Sequence, residues 1–326
     1  MKPSGIGGQA LIEGIMMRHK DEYSCAVRKP DQEIALKKEK FKSVVPSPVV
    51  KKIPLVRGVI SFIDSLVIGL STLMYSASFF EEEEPSEKEK EKLEKMTAEE
   101  KEKKEKSDEK KENALMYAVF FASMAIAVVI FMLLPYYLSE LLGKVITAKW
   151  LLALMEAVTR VLIFVIYLLL ISRMEDIQRT FMYHGAEHKC INCIEHGMDL
   201  NVENVMKSSR FHKRCGTSFL VLVVIISAVL LMFIRTDSRI LRVVYRLVLI
   251  PVIAGISFEI LQWAGRSDGL LVNILSKPGL AMQKLTTKEP DESMVEVAIV
   301  AVEAVFDWKT YLQENFDRPL EAEKTE

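Results

Sequence analysis

The sequence predicts a mainly α-helical, polytopic membrane protein with about four transmembrane helices, a membrane-associated helix and a small cytoplasmic α+β region. Three observations support this fold class. Half of the 326 residues are apolar, and the mean hydropathy is +0.18. Residues 81–113 alone hold 25 charged side chains, so the rest of the chain is more apolar than a typical soluble domain. Four apolar runs are also long enough to cross a bilayer.

The four runs fall into two pairs. Residues 114–172 are expected to hold transmembrane helices 1 and 2, and residues 217–263 are expected to hold helices 3 and 4. The second run carries Glu156 and Arg160, whose i,i+4 spacing lets them pair on one helix face and lowers the cost of two charges in lipid. The fourth run contains Glu259, and an ionisable group within an apolar span is a candidate functional group.

A fifth apolar segment, residues 53–80, is interrupted by Arg57 and Asp64 and is diluted by glycine and serine. These features predict an amphipathic or re-entrant helix that lies against the membrane. The charged residues 81–113 that follow are expected to form a solvated linker, or a lone helix supported by Glu/Lys pairs.

Lys and Arg are concentrated in the connector 173–216, which the positive-inside rule places in the cytoplasm. Four spans then put both termini in the cytoplasm as well, in a multi-pass protein of the cell inner membrane. Four arginines oppose this arrangement, because they surround the short connection between the third and fourth spans on the predicted outer side. They are Arg235, Arg239, Arg242 and Arg246.

The N-terminal segment 1–52 is expected to be cytoplasmic and to contain a β-hairpin. Residues 22–38 show apolar alternation on both sides of a turn at residues 29–32, which is typical of two short paired strands. The preceding residues 5–18 are rich in glycine at first and then helix-like. So small a hairpin cannot bury a core alone, so it must pack on another element.

The C-terminal segment 264–326 is expected to form cytoplasmic helices. A helix start is predicted near residues 290–293, and the apolar run that follows is too short and too acidic to cross a membrane. This run is expected to dock on the cytoplasmic core, together with the connector.

Composition excludes several classes of protein. The formal net charge is −1, whereas binding to a nucleic-acid backbone requires a net basic face, so no specific nucleic-acid partner is expected. The four cysteines have no regular pattern and the first 25 residues contain no signal-peptide-like apolar run, which argues against a secreted disulfide scaffold. The lipid bilayer is the expected partner.

The strongest chemical pattern is His184-Gly185-Ala186-Glu187-His188, an H-x-x-E-H motif. On a helix, positions i, i+3 and i+4 lie on one side, so two imidazoles can bind one metal ion. A carboxylate beside them can activate a metal-bound water. The motif therefore predicts a divalent metal, with zinc as the expected ion, held by His184 and His188, with Glu187 as the general base. The alternative is a helix whose histidines only form hydrogen bonds.

If this helix continues to Gly197, helical periodicity returns Glu195 to the face of the two histidines. The same periodicity places Cys190 and Cys193 on the opposite face, where they are expected to pack as small apolar residues. A cysteine-based zinc knuckle is disfavoured because no second C-x-x-C pair follows, only Cys215.

Two residues are candidates for a third metal ligand. His212 precedes the third span at the predicted membrane surface, and Glu259 lies near the end of the fourth span. Either would complete a three-ligand catalytic site with one open position. Glu259 could instead pair with Arg266, and a different direction for the Glu187 side chain would make it a ligand itself.

Six segments resemble the YqhQ-like family of bacterial integral membrane proteins of unknown function, and they extend over nearly the whole chain outside the charged linker. They are GGQALIEGIMMR (7–18), IPLVRG (53–58), HGAEHK (184–189), RFHKRCGTSF (210–219), AGISFE (254–259) and LTTKEPDESMVEVAI (285–299). The resemblance implies a membrane-embedded protein of a kind that looks metal-dependent. Lys213 stands where the family leads us to expect proline, which affects the local turn.

Three functional hypotheses follow. The first is a metal-dependent hydrolase with its site at the cytoplasmic membrane surface. The second is a non-catalytic membrane scaffold or membrane-protein biogenesis factor that recruits a cytoplasmic or membrane protein partner. The third and weakest is a transporter with Glu156, Arg160 and Glu259 along its path, since charged positions within the spans are few.

Overall fold

The computed structural model describes residues 2–80, 111, 114–115, 117–234, 236, 238–266 and 269–316. The predicted charged linker 81–113 therefore lies almost entirely outside the described residues. The described part is mainly α-helical, with one small antiparallel sheet at the N-terminus. This confirms the predicted fold class.

Within the described residues, five helices are long and apolar enough to cross a membrane. They are α1 (Val56–Ala77), α2 (Tyr117–Leu142), α3 (Lys149–Ile171), α6 (Gly216–Phe233) and α7 (Arg239–Arg266). Helices α2, α3, α6 and α7 coincide with the four predicted spans, and α1 lies within the fifth segment, 53–80. These helices are those of a multi-pass membrane protein.

The other helices belong to the connector and the C-terminal segment. They are α4 (Glu175–Glu195), α5 (Val202–Lys207), α8 (Leu270–Thr286), α9 (Glu292–Val305) and α10 (Trp308–Phe316). Helix α9 begins where the sequence predicts, because the Asp291 side chain accepts a hydrogen bond from the Met294 backbone N–H at 2.9 Å and caps the first turn.

The sheet is a four-stranded meander in the order β1 (Ile6–Leu11), β2 (Gly14–His19), β3 (Glu22–Arg28) and β4 (Ile34–Lys40). The predicted hairpin is confirmed as β3 and β4. The helix-like expectation for the residues before it is wrong, because they form β1 and β2. Strand β2 is buried on both faces, so its apolar residues follow one another without the alternation that identifies a half-exposed strand.

The two faces of the sheet pack on different helices. On one face, Ile15 and Met17 join a core with residues of α4 and α9, including Cys190 and Val297. On the other face, Leu11, Met16 and Cys25 pack around Ile68 of α1. The sheet thus lies between α4 and α9 on one face and α1 on the other. These helices supply the packing surfaces that a small hairpin requires.

The chain divides into two compact units, residues 1–80 with 164–326, and residues 81–163. In the second unit, Arg160 donates to Glu156 at 2.9 Å and to the Phe131 carbonyl oxygen at 3.2 Å. The predicted i,i+4 ion pair is therefore present. Its carbonyl partner lies in a π-helical turn of α2, Val129–Leu133, and such turns expose backbone carbonyls to side chains.

The C-terminal end of α4 is tied to the N-terminus through the carboxylate of Glu195, which is fully buried. The carboxylate accepts hydrogen bonds from the backbone N–H and hydroxyl of Ser4, both at 2.8 Å, and pairs with Arg214. Burial alone would raise the pKa of Glu195, but His212, the Ser4 backbone and the Arg214 charge outweigh burial and lower the pKa to about 2.

Gly185 lets the C-terminal segment cross α4 closely. The Lys288 backbone N–H donates to the Phe181 carbonyl oxygen at 2.8 Å, and a Cβ at position 185 would overlap the Lys288 carbonyl oxygen. The segment between α8 and α9 therefore runs against α4 only because residue 185 has no side chain.

We expect Gly185→Ala to lower the free energy of unfolding by about 2 kcal/mol or more, as overpacking against backbone does. The control is Gly7→Ala, because a Cβ at position 7 meets nothing within 4 Å. Thermal unfolding in detergent, followed by circular dichroism, measures both variants. Equal midpoints for the two variants would contradict the close crossing at Gly185.

We also expect Glu195→Gln to destabilise the protein at pH 7, and the gap to wild type to shrink as pH falls. The pKa of Glu195 falls from 4.5 to about 2 on folding, so its contribution is complete above the unfolded value and is lost between about pH 5 and pH 2. The contribution is on the order of 3 kcal/mol. Unfolding curves of both proteins across this pH range test the prediction, and a constant gap would refute it.

Candidate metal centre

Helix α4 carries the H-x-x-E-H motif and presents both histidines on one face. The ring centroids of His184 and His188 are 4.4 Å apart, with an interplanar angle of 62°. The His188 side chain is almost completely buried, and His184 is half-buried. The i,i+4 spacing thus produces the predicted pair of neighbouring imidazoles.

A backbone carbonyl fixes the orientation of His184. Its Nδ1 lies 2.8 Å from the Thr286 carbonyl oxygen at the end of α8. A carbonyl oxygen only accepts hydrogen bonds, so Nδ1 carries the proton. In the neutral ring, Nε2 is then left with its lone pair, and it lies 3.1 Å from Cys215 Sγ.

His188 is oriented in the same way. Its Nδ1 lies 2.7 Å from the Arg210 carbonyl oxygen, so Nδ1 again carries the proton. Nε2 of His188 is buried and has no hydrogen-bond partner. Burial lowers the pKa of His188, although Cys215 acts in the opposite direction, and the neutral imidazole is the form that binds metals. A buried nitrogen lone pair without a well-formed hydrogen bond is costly, and the side chain that interacts with this ring is Cys215, so Nε2 is a candidate metal ligand.

Two polar side chains of α4 hold the connector that supplies the Arg210 carbonyl. Lys189 donates to the carbonyl oxygens of Met206 at 2.8 Å and Ser208 at 2.9 Å. Asn192 donates to those of Ser209 at 2.6 Å and Phe211 at 3.0 Å. These bonds fix the connector backbone on both sides of residue 210. A metal-binding histidine typically has such an outer hydrogen-bond partner on its second ring nitrogen.

The third member of the group is Cys215. Nε2 or Nδ1 of the two histidines and Cys215 Sγ offer ligand atoms that all lie within 4.8 Å of one another. Cys215 is the N-cap residue of α6, and its Sγ accepts from the Thr217 backbone N–H at 3.3 Å. Backbone N–H groups at a helix N-terminus favour negative charge, as on a metal-bound thiolate.

Cys215 is not among the ligands that the sequence predicts. In the sequence, Cys215 follows the Cys190 and Cys193 pair as a single cysteine, which disfavours a zinc knuckle, and both members of that pair are buried in the apolar core as expected. Burial raises the pKa of the Cys190 thiol well above its usual value. The position of Cys215 in the sequence could have indicated a ligand, because Cys215 lies directly before an apolar helix and three residues after His212.

His212 lies beside this group without joining it. Its ring centroid is 5.7 Å from that of His188, and its Nε2 is 3.5 Å from Glu195 Oε2. Both backbone groups of His212 are bound by the side-chain amide of Gln283 on α8, at 2.9 and 2.7 Å. Glu195 therefore does face this side of α4, as the helical periodicity predicts, and its nearest imidazole is His212.

Glu187 is buried and faces β1. Its carboxylate accepts a hydrogen bond from the Gly8 backbone N–H, and burial raises its pKa. Gly8 is needed for this approach, since a Cβ there would lie 2.9 Å from Glu187 Cγ and 2.7 Å from the Met16 carbonyl oxygen. The Glu187 carboxylate thus lies between α4 and the sheet, and Glu187 is not one of the three residues whose ligand atoms converge.

Glu259 is not brought to the histidines. Its Oε1 accepts from Arg57 Nε at 2.7 Å and from the Leu55 backbone N–H at 3.3 Å, and a second bond joins Arg57 to Oε2. The side chain of Arg266, the partner considered from the sequence, lies outside the described residues. Glu259 thus joins the start of α1 to the helix α7.

The His184, His188 and Cys215 arrangement suits a transition metal with tetrahedral geometry. Zinc bonds of about 2.0–2.1 Å to nitrogen and 2.3 Å to sulfur place two nitrogens and one sulfur about 3.3–3.6 Å apart in a tetrahedral site. Small side-chain movements would bring the three atoms to these separations. Three protein ligands leave a fourth position, which is the arrangement of catalytic zinc sites.

Comparisons with known proteins identify a family and assign no activity. The chain is 34% identical over 298 residues to the "Uncharacterized protein YqhQ" of Bacillus subtilis (strain 168), covering 91% of each protein. No solved structure matches the chain significantly. The family described as "Protein of unknown function (DUF1385)" matches residues 53–308. By both comparisons, the chain belongs to the DUF1385 family, whose function is unknown.

Proposed function

We propose that this protein is a metal-dependent hydrolase at the membrane surface, with a zinc ion held by His184, His188 and Cys215. The observation that carries the proposal is the convergence of three ligand atoms, one of them the buried and unpartnered Nε2 of His188. Cys215 takes the third position that the sequence offered to His212 or Glu259. Glu259 is left out because Arg57 binds its carboxylate.

Glu187 is the proposed general base. A metal held by the two histidines and Cys215 would supply Lewis-acid activation of the substrate and of a water molecule. The Glu187 carboxylate would accept a proton from that water as the water oxygen attacks a carbonyl carbon or a phosphorus atom. Glu187 then returns this proton to the leaving group as the ester, peptide or phosphoester bond breaks. The Gly8 N–H fixes one side of the carboxylate. In this scheme His212 lies beside His188 and is not itself a metal ligand.

A second candidate is a non-catalytic scaffold in which the metal is structural. The observation that favours it is that the three ligands belong to two different helices. His184 and His188 belong to α4, which packs on the soluble core, whereas Cys215 caps α6, a candidate membrane span. A metal bound to all three would clamp the soluble domain to that helix, and the domain could then recruit a protein partner.

We expect purified wild-type protein to contain close to one zinc ion per chain by elemental analysis. The variants His184→Ala/His188→Ala and Cys215→Ala should lose it, because two or one of the three ligands are removed. The control is His196→Ala, since His196 caps the same helix and only bonds the Asn192 carbonyl oxygen. A metal-free wild-type protein, prepared without chelator, would refute both candidate functions.

Glu187→Gln separates the hydrolase from the scaffold. We expect this variant to keep its zinc and to lose hydrolytic turnover by about 100-fold or more, as removal of a general base does. Ester, peptide and phosphodiester substrates in mixed micelles provide the assay. If zinc-loaded wild type hydrolyses none of them, or Glu187→Gln is fully active, the catalytic scheme fails. Loss of the fold on zinc removal would then support the scaffold.

A further inference from the structure

Helix α1 is long and apolar enough to cross a membrane, but its contacts indicate a different position. We infer that α1 lies in the plane of the membrane surface, with the sheet on one face and lipid on the other. The occupant of its outward face is thus the bilayer. This inference does not depend on the metal centre.

The inner face of α1 packs against the N-terminal domain along more than half of its length. Asp64 accepts hydrogen bonds from the Ser43 hydroxyl at 2.6 Å and the Val44 backbone N–H at 2.8 Å. Ile68 is buried in the core of the sheet, and the Ser76 hydroxyl accepts from the Ile12 backbone N–H at 3.3 Å. A Cβ at Gly69 would overlap the side chain of Gln9.

These contacts run from residue 64 to residue 76, which is about 18 Å of helix. If α1 crossed the bilayer, the sheet beside it would enter the hydrocarbon region. That sheet has polar edges and charged side chains, including Lys37 and Lys38 on β4. Unpaired backbone groups and charges are costly in lipid, so the sheet and the helix that covers it must stay outside the hydrocarbon core.

The opposite face of α1 is apolar and uncovered. Val56, Ile63 and Val67 are 39%, 41% and 53% exposed, and at helical spacing they share one face with Leu70 and Met74. No charged side chain interrupts this stripe. Exposed apolar stripes of this kind mark contact with a membrane or a partner.

The position of the stripe next to the spans favours lipid over a protein partner. At the start of α1, Gly58 lies so close to α7 that a Cβ would be 3.0 Å from the Gly255 Cα, and Phe62 stacks near Phe219 of α6 at 5.6 Å. Both α6 and α7 are candidate spans. The stripe therefore continues from the surface of two candidate membrane spans.

The path of the chain requires the same arrangement. The sheet precedes α1, and α4 packs on the sheet, with the Lys2 backbone N–H bonded to the Glu195 carbonyl oxygen at 3.2 Å and Arg179 paired with Glu13. The sheet and α4 are therefore on one side of the membrane, so the chain between them crosses an even number of times. Among the described residues, three apolar helices lie between them in sequence, and α1 packs on the sheet.

The first test is the side of the membrane on which the linker lies. In right-side-out vesicles, a membrane-impermeant maleimide should label Ala98→Cys to the same extent as Glu314→Cys on α10. The extent of labelling should differ from that of Ser238→Cys between α6 and α7. The four native cysteines are buried, so wild type provides the blank. Labelling of Ala98→Cys together with Ser238→Cys would mean that α1 crosses the membrane and would overturn the inference.

The second test measures depth along α1. Spin labels at Val56→Cys and Leu70→Cys should report the same depth in the bilayer, to within a few ångströms, from the accessibility of oxygen and a nickel chelate. A crossing helix would separate these positions by about 21 Å. Equal depths support the in-plane helix, and a depth difference near that length refutes it even if the linker test is lost through misfolding.

Discussion

The candidate site depends on two hydrogen bonds from imidazole Nδ1 atoms to backbone carbonyl oxygens, those of Thr286 and Arg210. Each bond assigns the ring proton and turns the remaining nitrogen lone pair toward Cys215. The two carbonyls come from segments far apart in sequence, one at the end of α8 and one in the connector after α5. The pair of histidines on α4 would form the proposed metal centre only when both segments are in place.

Polar residues buried on α4 keep these segments in place, and this explains why the helix lacks a simple apolar stripe. Lys189, Asn192 and Glu195 are all less than 5% exposed, and burying such groups is costly unless each is hydrogen-bonded. Here Lys189 and Asn192 bind connector carbonyls, and Glu195 binds Ser4 and Arg214. The cost of dehydrating these groups is offset by bonds that determine where the connector and the N-terminus run.

The sequence predicted features that depend on local spacing, and it missed those that depend on tertiary contacts. Helix length and composition identified the spans, and i,i+4 spacing identified the His184 and His188 pair. Strand β2 was missed because burial on both faces removes the alternation of a strand. The Cys215 contact with His184 joins residues 31 positions apart, and the Arg57 pair with Glu259 joins residues 202 apart. No periodicity indicates partners at such distances.

The same elements form the site and attach the domain to the membrane. Cys215 begins α6, and Gln283 of α8 bonds both His212 and the Ser218 hydroxyl of α6, while Gly279 of α8 packs on Ser218 so closely that a Cβ would not fit. Movement of α6 or α8 in the bilayer would therefore move the sulfur and the Thr286 carbonyl relative to α4. The proposed catalysis and the proposed clamping would thus share one geometry. The fourth coordination position distinguishes them, because a water there can react, whereas a fourth side chain would close the site.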